Sequence, residues 1–112
     1  MKIDVQTHEP GIEYVRLSGD LDFNTSPEVR RELGKLVEKR LPKVLVDLEK
    51  VSYLDSSGLA TFIELFQKMK RFGGKLVLFN LNITVRSVFE IAKLDTVFHL
   101  AETHAQALTI IA

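Results

Sequence analysis

Two short and nearly uninterrupted apolar runs in the middle of the chain limit its possible folds more than any other feature of the sequence. Residues 43–48 read KVLVDL, and residues 75–79 read KLVLF. A strand that carries apolar side chains on both faces needs cover on both faces, as in a parallel sheet that lies between helices. The two runs therefore predict central strands of an α/β sheet.

Helical periodicity around these runs predicts the elements that cover the sheet. Apolar residues recur at helical spacing in segments 29–37, 59–72 and 83–92, and again from Thr103 to the end of the chain. The start of the first helix has two possible forms. Thr25 can pair with Glu28 in a capping box, or Ser26 can cap the helix with Pro27 in its first turn.

An N-terminal hairpin is expected to complete the sheet. Alternating apolar residues predict strands near segments 3–7 and 15–17, and Pro10-Gly11 between them favours a type II turn. A short strand is expected over segment 97–100. The chain is therefore expected to form one α/β domain, residues 1–112, with a mixed sheet of four to five strands and about four helices.

Composition argues against several classes of function. Fifteen Lys and Arg residues balance fifteen Asp and Glu residues, whereas nucleic-acid binding draws on a basic surplus. No apolar run approaches the roughly 20 residues that span a bilayer, and the N-terminus has no signal-peptide pattern. We therefore expect a cytoplasmic protein without direct membrane insertion. Because the sequence has no Cys, it offers no disulfide and no thiolate nucleophile.

The segment most informative about function follows the first apolar run. Asp55-Ser56-Ser57-Gly58-Leu59 places two hydroxyl groups just before a predicted helix. The first backbone N–H groups of a helix lack helical partners and carry a partial positive charge, so such a position tolerates an anion. The simpler interpretation is that Ser56 or Ser57 only caps the helix.

Catalysis and cofactor binding have weaker support in the sequence. A nucleophilic serine needs a base, and none of the three histidines lies in a serine-hydrolase motif; these are His8, His99 and His104. Gly73-Gly74 lacks the spacing and the Lys-Ser/Thr of a phosphate loop. We therefore expect neither an enzyme nor a cofactor.

Three acidic residues could in principle bind a metal ion; they are Asp20, Asp22 and Asp55. An acidic loop that faces a basic partner explains the same residues with fewer assumptions. No metal site is therefore predicted.

Three motifs together resemble the STAS domain of bacterial anti-sigma-factor antagonists, over essentially the whole chain. They are Asp55-Ser56-Ser57-Gly58-Leu59, the upstream Gly19-Asp20-Leu21-Asp22 and the downstream Gly73-Gly74-Lys75-Leu76. In that family the first hydroxyl after the Asp is phosphorylated, which implies Ser56 here. The Gly-x-Leu-Asp segment resembles the loop beside that serine and implies that Asp22 lies near it. The sequence departs at Ala60, where many members have Gly.

The resemblance implies a regulatory switch. The unphosphorylated form is expected to bind an anti-sigma factor, usually a GHKL-type serine kinase, and so to free a sigma factor. The kinase phosphorylates the serine and breaks the complex, and a PP2C-type phosphatase reverses the step. STAS domains also serve as accessory subunits of lipid-transport ABC systems and as stressosome scaffold components, which are the alternative functions. The expected partner-binding residues are Asp20, Asp22, Phe23, Asp55, Ser56, Ser57 and Gly58.

Overall fold

The computed structural model describes the backbone of residues 1–112 and every side chain except that of His8. The elements in chain order are β1 (Lys2–Glu9), β2 (Ile12–Leu21), α1 (Ser26–Glu38), β3 (Lys43–Leu54), α2 (Ser56–Arg71), β4 (Lys75–Phe79), α3 (Ile83–Ile91), β5 (His99–Ala101) and α4 (His104–Ile111). The predicted α/β fold with a mixed sheet and about four helices is confirmed. Across the described residues, no helix combines the length and apolar character needed to cross a bilayer.

The sheet has the strand order β1-β2-β3-β4-β5. β1 is antiparallel to β2, and the other neighbouring strands are parallel. Side chains of α1, α2 and α3 form one core with one face of the sheet, whereas α4 packs on the opposite face. The two apolar runs lie in β3 and β4, as expected for strands that need cover on both faces. The carboxyl ends of β2 and β3 meet at one edge, where Leu21 pairs with Leu54.

β3 is longer than the apolar run that predicted it. We expected a short connection after residue 48, but the strand continues to Leu54. Its second half pairs with the end of β2 across two irregularities in register. Leu48, Val51 and Leu54 are buried at intervals of three residues with two exposed residues between them, because the irregularities in register interrupt the two-residue alternation of a regular strand.

Neither expected cap forms at the start of α1. The Thr25 hydroxyl accepts from the Asp22 amide at 3.0 Å and donates to the Asp20 carbonyl at 2.7 Å, so it makes no cap hydrogen bond. The Ser26 hydroxyl donates to the Asp22 carbonyl at 2.7 Å. Both hydroxyls thus bond backward to carbonyl groups at the end of β2 and in the β2–α1 loop, and the Asp22 carbonyl also accepts from the Ser26 amide at 2.9 Å. Pro27 does lie in the first turn, as expected.

An acidic residue within the first apolar run is buried in the sheet. Asp47 is 1% exposed. Its Oδ2 accepts from the Tyr14 hydroxyl and from Arg16 at 3.2 Å, and its Oδ1 accepts from the Glu49 amide at 2.9 Å and from Asn80 at 3.2 Å. Burial alone would raise the pKa of Asp47, but the hydrogen bonds, that of Tyr14 first, outweigh burial and hold the pKa below its ordinary value.

Asp47→Asn is expected to lower the free energy of unfolding by about 2 kcal/mol at pH 7. The asparagine amide group would place its N–H donors against groups that now donate hydrogen bonds to the Asp47 carboxylate. The unfolded chain has the higher Asp47 pKa and so binds more protons at acidic pH. The Asp47 contribution is therefore complete above the unfolded pKa, about 3.9, and is lost as pH falls through the folded value.

Urea unfolding of both proteins at several pH values measures this effect. The stability difference should narrow below about pH 4. Asp20→Asn removes an exposed carboxylate at the end of the neighbouring strand and serves as the control. A difference that stays constant across the acidic range would contradict the assignment.

Candidate functional site

The predicted motif lies at the sheet edge where β2 and β3 end. Ser56 is the first residue of α2 and is exposed, whereas Ser57 is half-buried. The expectation that one of these serines caps the helix is wrong, because the cap is Asp55. Its Oδ1 accepts from the amides of Ser57 at 2.9 Å and Gly58 at 3.1 Å. The Ser56 hydroxyl makes no hydrogen bond to any described residue, so the described contacts give it no structural role.

Asp55 also joins α2 to the loop between β2 and α1. Its Oδ2 accepts from the Phe23 amide at 3.1 Å, and its own amide donates to the Leu21 carbonyl at 3.2 Å. Within the loop, the Asp22 carboxylate accepts from the amides of Asn24 at 2.9 Å and Thr25 at 3.2 Å. The structure therefore brings the Asp22 loop beside the start of α2. The Asp55 carboxylate connects them, because it accepts hydrogen bonds from amides of both segments.

The position of Gly58 depends on a close approach between α2 and β2. A Cβ on Gly58 would lie 2.5 Å from Leu54 Cδ1, 2.7 Å from the Leu21 carbonyl oxygen and 2.8 Å from Leu21 Cγ. No real Cβ contact is that short, so this position admits only glycine without a shift of its surroundings. Gly58 is buried, whereas the other candidate residues are at least partly exposed.

Two exposed aromatic residues lie on the segments next to Asp55. Phe23 is 76% exposed on the Asp22 loop, and Tyr53 is 49% exposed at the end of β3. Tyr53 pairs with Asp20 across the two strands. Sequence reasoning missed Tyr53 because it treated that segment as a connection. The apolar residues Leu48, Val51 and Leu54 are three positions apart, which is not strand periodicity, so no local pattern marked the second half of β3.

Neither His99 nor His104 lies beside Ser56, and the described carboxylates near it do not form a metal site. His104 stacks on Phe79 with ring centroids 5.4 Å apart, on the face of the sheet opposite α2. His99 lies on β5, which β4 separates from β3. Among the described residues, no three acidic or histidine side chains converge as ligands would. The carboxylates of Asp22 and Asp55 instead accept hydrogen bonds from backbone amides.

Comparison with known proteins gives consistent matches over nearly the whole chain. The STAS domain family model matches residues 2–107. The anti-sigma-B factor antagonist of Bacillus subtilis is 32% identical over 101 residues, which cover 90% of this chain and 91% of that protein. The crystal structure of an anti-sigma factor antagonist from Mycobacterium paratuberculosis is 27% identical, with a TM-score of 0.90 over 98% of this chain and 92% of that one.

A more distant structure has the same fold. The Bacillus cell fate determinant SpoIIAA in its phosphorylated form has a TM-score of 0.77 and 20% identity, over 99% of this chain and 100% of that one.

Proposed function

This chain belongs to the STAS domain family, and on that basis we propose that it acts as an anti-sigma-factor antagonist. In this proposal the unphosphorylated protein binds an anti-sigma factor and so frees a sigma factor. Its relative in Bacillus subtilis carries the name of an anti-sigma-B factor antagonist. The observation that carries the proposal is the exposed Ser56 hydroxyl, which has no described hydrogen-bond partner and follows Asp55, the residue that binds the amide of the exposed Phe23.

Ser56 is proposed as the phosphorylation site that ends the interaction. A kinase needs an accessible hydroxyl, and Ser56 is exposed whereas its neighbour Ser57 is half-buried. The SpoIIAA structure in phosphorylated form supports the view that this fold accommodates the modification. We propose that the kinase is the anti-sigma factor itself, of the GHKL type, and that a PP2C-type phosphatase restores the serine.

A phosphate on Ser56 would enter an acidic environment. It adds a charge of roughly −1.5 to −2 at neutral pH. The nearest helical amides, those of Ser57 and Gly58, already donate to Asp55. The phosphate would therefore lie near the negatively charged Asp55 carboxylate, where few N–H groups remain free to donate to it. The added charge also makes it unfavourable to remove water from this surface when a partner binds.

The partner surface proposed for the anti-sigma factor surrounds that hydroxyl. Phe23 has the residue type and exposure of a binding anchor. The acidic Asp20 and Asp22 beside it favour a basic partner, since complementary charge steers association. Ser57 and Asp55 complete the surface, and Gly58 contributes by allowing α2 to approach β2.

Reconstitution with the purified proteins tests the proposal. The partner to be tested is an anti-sigma kinase whose gene lies next to the gene of this protein. The unphosphorylated chain should displace the sigma factor from that kinase. After addition of ATP, the kinase should transfer phosphate to Ser56, and mass spectrometry locates the phosphate. Wild-type protein without ATP and Ser56→Ala with ATP are the controls. Absence of any complex with an anti-sigma factor, together with binding to a lipid-transport or stressosome protein, would overturn the proposal.

A further inference from the structure

A separate groove lies between α1 and α2, near the helix ends remote from Ser56. It has a volume of about 500 Å³. Since α2 rises about 1.5 Å per residue from Ser56 to Arg71, this groove is roughly 20 Å from the proposed phosphorylation site. Its apolar lining is Gly34, Val37 and Phe72, and its basic lining is Arg40, Lys68 and Arg71, with Glu38 beside them. We call this feature the basic groove.

The cations of the basic groove are only partly neutralised within the chain. Lys68 pairs with Glu64 at 2.9 Å, and the same carboxylate pairs with Arg30 at 2.6 Å. Among the described side chains, Arg40 and Arg71 form no ion pair. The exposed carboxylate of Glu38 also lines the groove and forms no ion pair with a described side chain, so it offsets one of these two charges. The groove lining therefore keeps an excess of unpaired positive charge, in a chain whose overall net charge is zero.

Gly34 lines the groove at a position where the packing of this chain does not require a glycine. A glycine in a helix interior destabilises the helix relative to alanine. A Cβ on Gly34 would meet no atom within 4 Å, and its φ lies outside the left-handed region. The helix dipole accounts for basic residues at the end of α2, but it does not account for this glycine. Its effect is to leave space between the two helices.

From the groove, its unpaired arginines and Gly34, we propose that the basic groove is a docking site for an acidic peptide segment of a protein partner. An apolar side chain of that segment enters the space above Gly34, and its carboxylates reach Arg40 and Arg71. A membrane surface fits less well, because Val37 and Phe72 are half-buried between helices and do not protrude. A peptide can place one side chain into such a groove.

Fluorescence anisotropy with a labelled synthetic peptide of Glu and Leu residues tests the proposal on the intact protein. The same peptide with Lys in place of Glu is the charge control. We expect the Glu-Leu peptide to bind at least about tenfold more tightly than the Lys-Leu peptide, because opposite charges meet in the groove. Amide NMR signals of Gly34, Arg71 and Phe72 should shift during the titration.

Two substitutions should weaken that binding by about tenfold or more without loss of the fold. Gly34→Leu fills the groove from an open position, so its melting temperature should equal or exceed that of the wild type. Arg71→Glu reverses an exposed unpaired charge. The controls are Gln67→Leu and Lys50→Glu, which introduce the same two residue types at exposed positions that do not line the groove.

Three results would overturn the proposal: equal binding of the two peptides, unchanged binding by folded Gly34→Leu protein, or NMR shifts confined to another surface. Binding to phosphatidylglycerol vesicles without binding to the Glu-Leu peptide would also overturn it and assign the cations to a lipid surface. The proposal stands apart from the phosphorylation switch, so a failure to modify Ser56 leaves this experiment unaffected.

Discussion

Replacing Ser56 with aspartate is expected to weaken binding of the anti-sigma factor by about a hundredfold, which corresponds to about 2.7 kcal/mol. The new carboxylate lies beside Asp55, while the amides of Ser57 and Gly58 are already occupied. Docking would have to remove water from a charge with few replacement donors, at a cost of several kcal/mol per unpaired ion. Ser56→Ala should retain binding, because alanine places no charge in the surface that docking must desolvate.

Calorimetric titration of the partner with the two variants, together with matched melting curves, measures this difference. Ser57→Ala is the internal control, since it leaves the acceptor at Ser56 and the cap at Asp55 in place. Mass spectrometry should then find phosphate on the Ser57→Ala protein and none on Ser56→Ala. Equal affinity of the Ala and Asp variants, or phosphate on Ser57, would refute the switch.

Gly58→Ala is expected to lower the free energy of unfolding by about 3 kcal/mol, because it adds a methyl group where no space exists. The new Cβ would lie within 2.8 Å of three atoms of Leu21 and Leu54. One of these is the Leu21 carbonyl oxygen, which accepts the Asp55 amide and cannot retreat without loss of that hydrogen bond. The start of α2 must therefore move outward, away from the Phe23 loop.

Gly34→Ala is the matched control, because it makes the same change in the other helix, at a position with open space. It should raise the free energy of unfolding by about 0.5–1 kcal/mol. Urea unfolding of both variants measures the two effects, which have opposite signs. A Gly58→Ala protein within about 0.5 kcal/mol of the wild type would mean that the close approach relaxes at little cost.

The elements that could be predicted are those encoded in neighbouring residues. The apolar runs, the helical periodicity and the Pro10-Gly11 turn all act over a few positions, and Gly11 indeed has a positive φ of 86°. The position of Ser56 at a helix start follows from the same local pattern. The cap of α4 by Thr103 was predictable and is confirmed, with the Gln106 amide donating to its hydroxyl at 3.1 Å. The caps of α1 and α2 were not, because several residues near each start carry suitable oxygens and only the path of the preceding chain selects among them.

The sequence by itself determined the α/β class, the central place of the two apolar strands and the segment that carries the candidate site. The tertiary structure decided which groups meet there. Asp55 and Phe23 are 32 positions apart, and their hydrogen bond depends on the pairing of β2 with β3. The same holds for the buried Asp47 and its donor Tyr14, 33 positions away. Periodicity reports which face of an element is buried, whereas contacts between distant residues depend on strand register and helix approach, which no short segment encodes.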